Sequence, residues 1–170
     1  MSCLDVEALY EVYALRVYRY FRCHLPRGCD AEDLVQTVFE RAFARSQSFD
    51  PLRGAIEAWL FSIAHNALRD HLRRMAVRRL LPLSAAPVAA GAQPSPEDAL
   101  LDAERFHALR EALAGISARE RQVVALRYFG GLRNVDIAKV MGLSEKNVGV
   151  ILSRALRKLR DELKEEKDHA

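Results

Sequence analysis

Five basic residues, Lys146, Arg154, Arg157, Lys158 and Arg160, stand between positions 146 and 160 with no acid among them. Their chemistry is pairing with phosphate rather than bond making. Ammonium and guanidinium groups neutralise nucleic-acid backbones, and arginine does so through two parallel hydrogen bonds. A second cluster, Arg69, Arg73, Arg74, Arg78 and Arg79, is opposed by Asp70 alone. The formal net charge is only +3 over 170 residues, so its distribution carries the signal.

Side chains for covalent chemistry do not assemble. The chain has no Gly-rich phosphate loop, no HExxH and no Ser/His/Asp grouping. His65 and His71 lack the spacing of a zinc pair on one helical face, so solvated or phosphate-facing imidazoles are expected. Cys23-His24 with Cys29 supplies two thiols and one imidazole but no fourth ligand. The carboxylates sit mostly in first turns and on exposed faces, where capping and solubility explain them. No catalytic residue, metal or cofactor is therefore expected. The odd set Cys3, Cys23 and Cys29 fits a reduced, cytoplasmic protein, with any redox role left open. No apolar run is long enough for a bilayer, and a start containing Asp5 and Glu7 does not read as a secretory signal.

The C-terminal basic cluster needs an element that presents it. Asn134 to Met141 reads as a short helix capped by Asn134, with Ile137, Ala138 and Met141 on its apolar side. Gly142 can end that helix in the left-handed conformation, and Ser144 can cap the next. In the following helix Val148, Ile151, Leu152, Ala155, Leu156, Leu159 and Leu163 form one stripe. Lys146, Gly149, Val150, Ser153, Arg157 and Arg160 lie opposite, with Asn147 and Arg154 at the margin. Short helix, turn, cap and basic helix together read as a helix-turn-helix whose second helix suits the DNA major groove.

The remaining chain reads as further helices. Ser2 can cap a helix over Cys3 to His24 in which tyrosines serve packing. Pro26-Arg27-Gly28 breaks it. Asp30 begins a second helix, Asp33 completes a box-like start, and Leu34, Val35, Val38, Phe39, Ala42 and Phe43 form its core face. Phe49 to Gly54 is a loop. A third helix from about Ala55 to Arg79 buries Trp59 near Phe39 and Phe43 and keeps His65, Asn66, Arg69, His71, Arg73 and Arg74 on its polar side. Leu81 to Gln93 lacks charge and periodicity and reads as a linker. Ser95-Pro96-Glu97-Asp98 starts another helix, and Ser117-Ala118-Arg119-Glu120 is a capping box for the one that ends at Gly130-Gly131. The expected fold class is all-α, in two small domains: 1–80 and 96–165, with a linker over 81–95 and a tail over 166–170.

The run Ser117 to Phe129, followed by Ile137-Ala138, Met141-Gly142-Leu143-Ser144, Val148, Arg154-Ala155 and Leu159-Arg160, resembles region 4 of bacterial extracytoplasmic-function sigma factors of RNA polymerase. Asp30-Ala31-Glu32-Asp33-Leu34-Val35-Gln36-Thr37-Val38-Phe39 is similar to region 2.2, and Trp59-Leu60-Phe61-Ser62-Ile63-Ala64-His65-Asn66 to regions 2.3–2.4. Two motifs in the right order and separation are more specific than either alone.

The resemblance implies a transcription initiation factor without catalysis of its own. Its partners would be core RNA polymerase, through the β′ clamp helices and the β flap, and promoter DNA. An anti-sigma factor is the further partner commonly found in the family; membrane insertion is not expected. By motif position the polymerase-binding surface includes Asp33, Leu34, Gln36, Thr37, Phe39 and Arg41. The −10 element would be opened and an extruded base captured at Leu52, Arg53, Gly54 and Asn66, with Arg69, Arg73 and Arg74 on the backbone. The −35 element would be read by Ser144, Lys146, Asn147, Gly149, Val150, Ser153, Arg154 and Arg157. Two positions depart from the family pattern. Gly149-Val150-Ile151 stands where relatives often carry a basic residue, a Ser or Thr, and an Arg, so readout there falls to shape or a thymine methyl. Leu52 stands where many relatives have an aromatic residue.

Overall fold

Tyr20, Phe21, Phe61 and Leu60 are fully buried at the centre of a helix packing that begins with Asp5. The structure is a computed structural model that describes residues 5–26, 28–80 and 103–168. Asp5 caps α1 (Val6–Arg22) by accepting from the Glu7 and Ala8 N–H groups, each at 3.1 Å. The helix thus opens after the expected Cys3; Ser2 and Cys3 lie outside the described residues. α2 (Gly28–Ala44) begins ahead of Asp30, which sits in the first turn beside the positive helix end rather than capping it. A short 3₁₀ turn at Ser46–Ser48 leads to α3 (Ile56–Leu80). The expected linker over 81–95 and the helix start at Ser95 fall outside the described residues.

The chain continues with α4 (Ala103–Ala114), α5 (Ala118–Tyr128), α6 (Asn134–Met141) and α7 (Glu145–Asp168). All regular elements among the described residues are helical, as the sequence implies. The Ser117 capping box is complete: its Oγ accepts from the Glu120 N–H at 3.2 Å, and the Glu120 carboxylate accepts from the Ser117 N–H at 2.9 Å. Gly131 ends the α5 segment at φ 65°, a conformation that costs glycine little.

One apolar cluster runs from α1, α2 and α3 into the C-terminal half, joining Val17, Phe21 and Leu68 to Leu126, Ile137 and Val148. A smaller cluster gathers Leu113, Ile116, Val124, Ala155 and Leu159 around Cys23 from the end of α1. Arg16 adds a polar tie between the halves. Its Nε donates to the Phe129 carbonyl at 2.9 Å and its Nη2 to the Gly130 carbonyl at 2.8 Å. Those carbonyls stand at a helix C-terminus, where orphan acceptors and the negative dipole end favour a cation.

Three expectations about α2 and α3 need correction. Phe43 does not join the core; it is 72% exposed. Trp59 is only partly buried and packs on Phe49, ring centroids 5.4 Å apart, rather than deep against Phe43. His65 is neither solvated nor phosphate-facing: it is 4% exposed, and its Nδ1 lies 3.1 Å from the Tyr20 hydroxyl. The cause is register. His65 follows Phe61 by one helical turn, so it shares the face that packs on Tyr20.

Candidate nucleic-acid interface

The helix-turn-helix is built as its sequence suggests, with one change at its start. Arg133 rather than Asn134 occupies the cap position of α6, and no side chain caps the helix there. Instead Arg133 Nε donates to the buried Asp136 carboxylate at 2.9 Å, and Asn134 is the first helical residue. Gly142 takes φ 66°, and the N–H groups of Gly142 and Leu143 both return to the Ala138 carbonyl. Ser144 Oγ then accepts from the Asn147 N–H at 3.2 Å and starts α7.

α7 turns Val148, Ala155 and Leu159 fully inward, with Ile151, Leu152 and Leu156 partly buried beside them. Ser144, Lys146, Asn147, Val150, Ser153, Arg154, Arg157 and Arg160 are exposed on the other side, and Gly149 is partly so. The expected −35 set therefore occupies one outward face. Gly149 adds no side chain to that face; a Cβ there would stand 3.9 Å from the Asn134 amide nitrogen, an ordinary van der Waals contact. One member of the basic cluster does not belong to the face. Lys158 Nζ donates to both Glu120 carboxylate oxygens, at 2.9 and 3.0 Å. These bonds, with the capping bonds from Ser117, hold the Glu120 carboxyl below the usual range. Lys158 thus ties α7 to α5 and helps set its direction. Sequence reasoning missed this because Lys158 and Glu120 lie far apart in the chain and each has a local role of its own.

In the N-terminal half the other expected residues fall on two different surfaces. The loop before α3 is ordered by Asp50, whose Oδ1 accepts from the Leu52 N–H at 2.9 Å and whose carboxylate also pairs with Arg53 at 3.4 Å. This turn lifts Leu52 to 96% exposure, with Arg53 and Gly54 also in solvent. Asn66, Arg69, Arg73 and Arg74 are exposed along α3. Asn66, Arg69 and Arg73 line a depression of about 360 Å³ at the seam of α2 and α3, together with Arg41, Arg45 and Asp70.

The expected polymerase-binding residues divide. Asp33 and Gln36 are exposed, and Gln36 donates to Glu40 at 2.9 Å. Thr37 is partly exposed, its hydroxyl donating back to the Asp33 carbonyl at 2.9 Å. Leu34, 3% exposed, turns into the core and positions the face rather than forming it, while Phe39, 7% exposed, packs into the core with one edge at a groove. Gln36 and Phe39 line a groove of about 700 Å³ between α1 and α2, with Tyr10 and Leu15 on its far wall. Tyr10 meets Phe39 edge-on at 4.8 Å. Tyr10 and Leu15 escaped sequence reasoning because α1 carries apolar residues on every side. Among the described residues no group of three or more His, Cys, Asp or Glu side chains could hold a metal, and no helix is long and apolar enough to cross a membrane.

Two family models match the chain in this order: "Sigma-70 region 2" over residues 9–78 and "Sigma-70, region 4" over residues 106–159. The first spans α1 to α3 and the second α4 to α7. The ECF RNA polymerase sigma factor BldN of Streptomyces coelicolor is 32% identical over 89% of this chain; the alignment covers 57% of that relative's length. The RNA polymerase sigma factor CnrH of Cupriavidus metallidurans is 32% identical over 76% of this chain and 71% of its own. In fold, the chain is similar to the sigma factor RpoE of Bartonella quintana, solved in complex with the anti-sigma factor NepR. The TM-score is 0.71 at 22% identity, covering 94% of this chain and 97% of that one. With both regions present in sequence and in fold, the chain belongs to the extracytoplasmic-function group of the sigma-70 family of RNA polymerase sigma factors.

Proposed function

We propose that this chain binds core RNA polymerase in the cytoplasm and directs promoter-specific initiation by recognising −10 and −35 elements. The observation that carries the reading is the outward face of α7, where Lys146, Asn147, Ser153, Arg154 and Arg157 stand clear of the core behind a Ser144-capped turn. A basic, polar face backed by an apolar stripe fits a helix laid in the major groove. Residues 1–80 would hold polymerase through Asp33, Gln36 and Thr37 and would open the −10 element at Leu52, Arg53, Gly54 and Asn66. Residues 96–165 would read the −35 element, with 81–95 linking the two. The family's anti-sigma partnership is carried over as a further expectation, since the Bartonella relative was solved with such a partner.

Capture of core RNA polymerase by the tagged full chain, followed by run-off transcription from candidate promoters, tests the reading. Stable binding and promoter-dependent transcripts are expected. Binding of a two-fold operator by a dimer of the chain, without polymerase, would replace the reading with that of a stand-alone helix-turn-helix regulator.

A further inference from the structure

The two family models match separate stretches, residues 9–78 and 106–159, yet the two halves do not pack separately. Val17, Phe21 and Leu68 of the first half share one apolar cluster with Leu126, Ile137 and Val148 of the second. Cys23, just past α1, is 6% exposed, and every other buried member of its cluster comes from the second half. α3 also touches α6, the first helix of the helix-turn-helix. Beside this junction the partly exposed Arg16 donates to the Phe129 and Gly130 carbonyls. Such bonds are exchangeable, because carbonyls at a helix end accept from water when a side chain leaves.

This junction conflicts with reading both promoter elements at once. Elements named −10 and −35 stand about 25 base pairs apart, roughly 85 Å of straight duplex at ~3.4 Å per pair. A folded body of this chain length is on the order of 40 Å across. Halves that share one core therefore cannot lie on both elements together. The chain between Leu80 of α3 and Ala103 of α4 can span up to about 75 Å when extended, so the halves can part and still reach.

We propose that this packing is a closed, self-inhibited state of the free chain, latched by Arg16, and that core RNA polymerase draws the halves apart. The proposal rests on the promoter-reading function above and adds a control to it: the free chain is kept off promoters until polymerase takes it up. Arg16 suits a latch because it is held ready on α1, its guanidinium 4.9 Å above the Tyr13 ring, while its donors serve the second half. Cys23 reports the opening. Burial pushes its thiol up to about 12, so the closed chain offers almost no reactive thiolate. Cys23 does not line the α1–α2 groove with Gln36, so polymerase seated there leaves it open to reagent.

The test uses the full chain with Cys3→Ser and Cys29→Ser, which leaves Cys23 as its only thiol. A polyethylene-glycol maleimide is added near neutral pH, with and without core polymerase. Labelling is read as a mass shift of the chain on a denaturing gel. Slow labelling of the free chain and faster labelling of the polymerase-bound chain are expected. Arg16→Ala raises the open fraction, so free-chain labelling should rise about tenfold and affinity for core polymerase by the same factor, since a binder of the open form gains in proportion to its population. Arg16→Gln, which keeps an amide donor, moves both readouts in the same direction by less. Circular dichroism checks the fold of each variant. A chain that is merely destabilised labels faster but binds polymerase less well, and that result overturns the proposal. Equal labelling of wild type and Arg16→Ala overturns it too, as does a polymerase-bound chain that labels no faster than the free one. Failure of the wild-type chain to capture polymerase at all overturns the functional reading instead, and the latch is then decided by the labelling rates alone.

Discussion

Arg16 of α1 holds the carbonyl of Phe129, the residue that caps the C-terminus of α5, at 2.9 Å, across more than a hundred residues of chain. The same guanidinium reaches Gly130 and lies over the Tyr13 ring, 4.9 Å from its centroid. Tyr13 in turn donates to Glu57 of α3 at 2.8 Å. The tie therefore links α1, α3 and the turn into the helix-turn-helix. Arg16→Ala leaves two helix-end carbonyls without their cation. The expected cost is about 1.5–3 kcal/mol, the range for hydrogen bonds to charged groups. Urea unfolding monitored by circular dichroism checks it, and a change within error would mean that solvent replaces the arginine freely.

Gly131 gives an independent check on the same contact. Its φ of 65° and the approach of Arg16 Nη2, 2.6 Å from where a Cβ would stand, both oppose a side chain. Gly131→Ala is expected to destabilise by about 1 kcal/mol or more. The loss should be smaller in an Arg16→Ala background, because one of its two causes is then absent.

Acid should weaken the fold through the imidazoles behind Tyr20. Burial lowers both His24 and His65 to about 4. Arg121 and His65 add to the effect at His24, and Arg69 adds to it at His65. Burial also raises the Tyr20 hydroxyl, which stays protonated and can donate to His65 Nδ1. The unfolded chain takes up these protons near 6.5 and the folded chain only near 4, so stability is full above about pH 6.5 and falls as pH drops towards 4. Urea midpoints measured at intervals from pH 7.5 to 4.5 should follow this fall. His65→Gln should flatten part of it; an equally steep fall in that variant would put the proton elsewhere.

Local signals made the helices legible, and long-range packing hid the rest. Gly142, Ser144 and the Ser117 box act within four residues, so their geometry follows from sequence spacing alone. Asn134 failed as a cap because the buried Asp136 took Arg133 as its partner, which moved the helix start. Trp59 and Phe43 were misjudged because periodicity names the apolar side of a helix but not which of its residues a neighbour covers. His65 was misread for the complementary reason: a polar side chain goes inside when a buried partner such as Tyr20 satisfies it. Of the candidate site, the outward polar face of α7 was readable as the complement of an apolar stripe. The role of Lys158 and the meeting of Arg41 with Asp70 required the tertiary structure.

Arg157 is exposed on the outward face of α7. Arg157→Ala should weaken binding to every promoter sequence and lower the salt slope by about 0.9, one phosphate's share on duplex DNA. Val150 is 42% exposed on the same face, and its methyl groups suit a thymine methyl. Val150→Ala and Ser153→Ala should therefore change the preference among −35 sequences rather than the salt slope. Holoenzyme binding to a panel of −35 variants separates the two kinds of effect. Equal weakening by all three substitutions on every sequence would rule out this docking.

The final prediction separates holding polymerase from opening DNA. Asn66 and Gln36 are both exposed, yet they line different depressions, one at the α2–α3 seam and one between α1 and α2. Asn66 offers two donors and an acceptor beside a row of arginines, which suits the edge of an extruded base. Gln36 is steadied by Glu40 on a face that also carries Asp33. Asn66→Ala should leave core-polymerase affinity unchanged and reduce run-off transcription from double-stranded promoters by tenfold or more, about 1.4 kcal/mol. A template already unpaired across the −10 element should recover much of that activity if Asn66 acts in opening, and little if it acts in reading the base. Gln36→Ala should do the reverse, weakening polymerase binding on every template alike. Neither substitution removes buried apolar surface, so circular dichroism should show both variants folded. A folded Asn66→Ala protein that no longer captures core polymerase would show that the α2–α3 seam serves the polymerase after all.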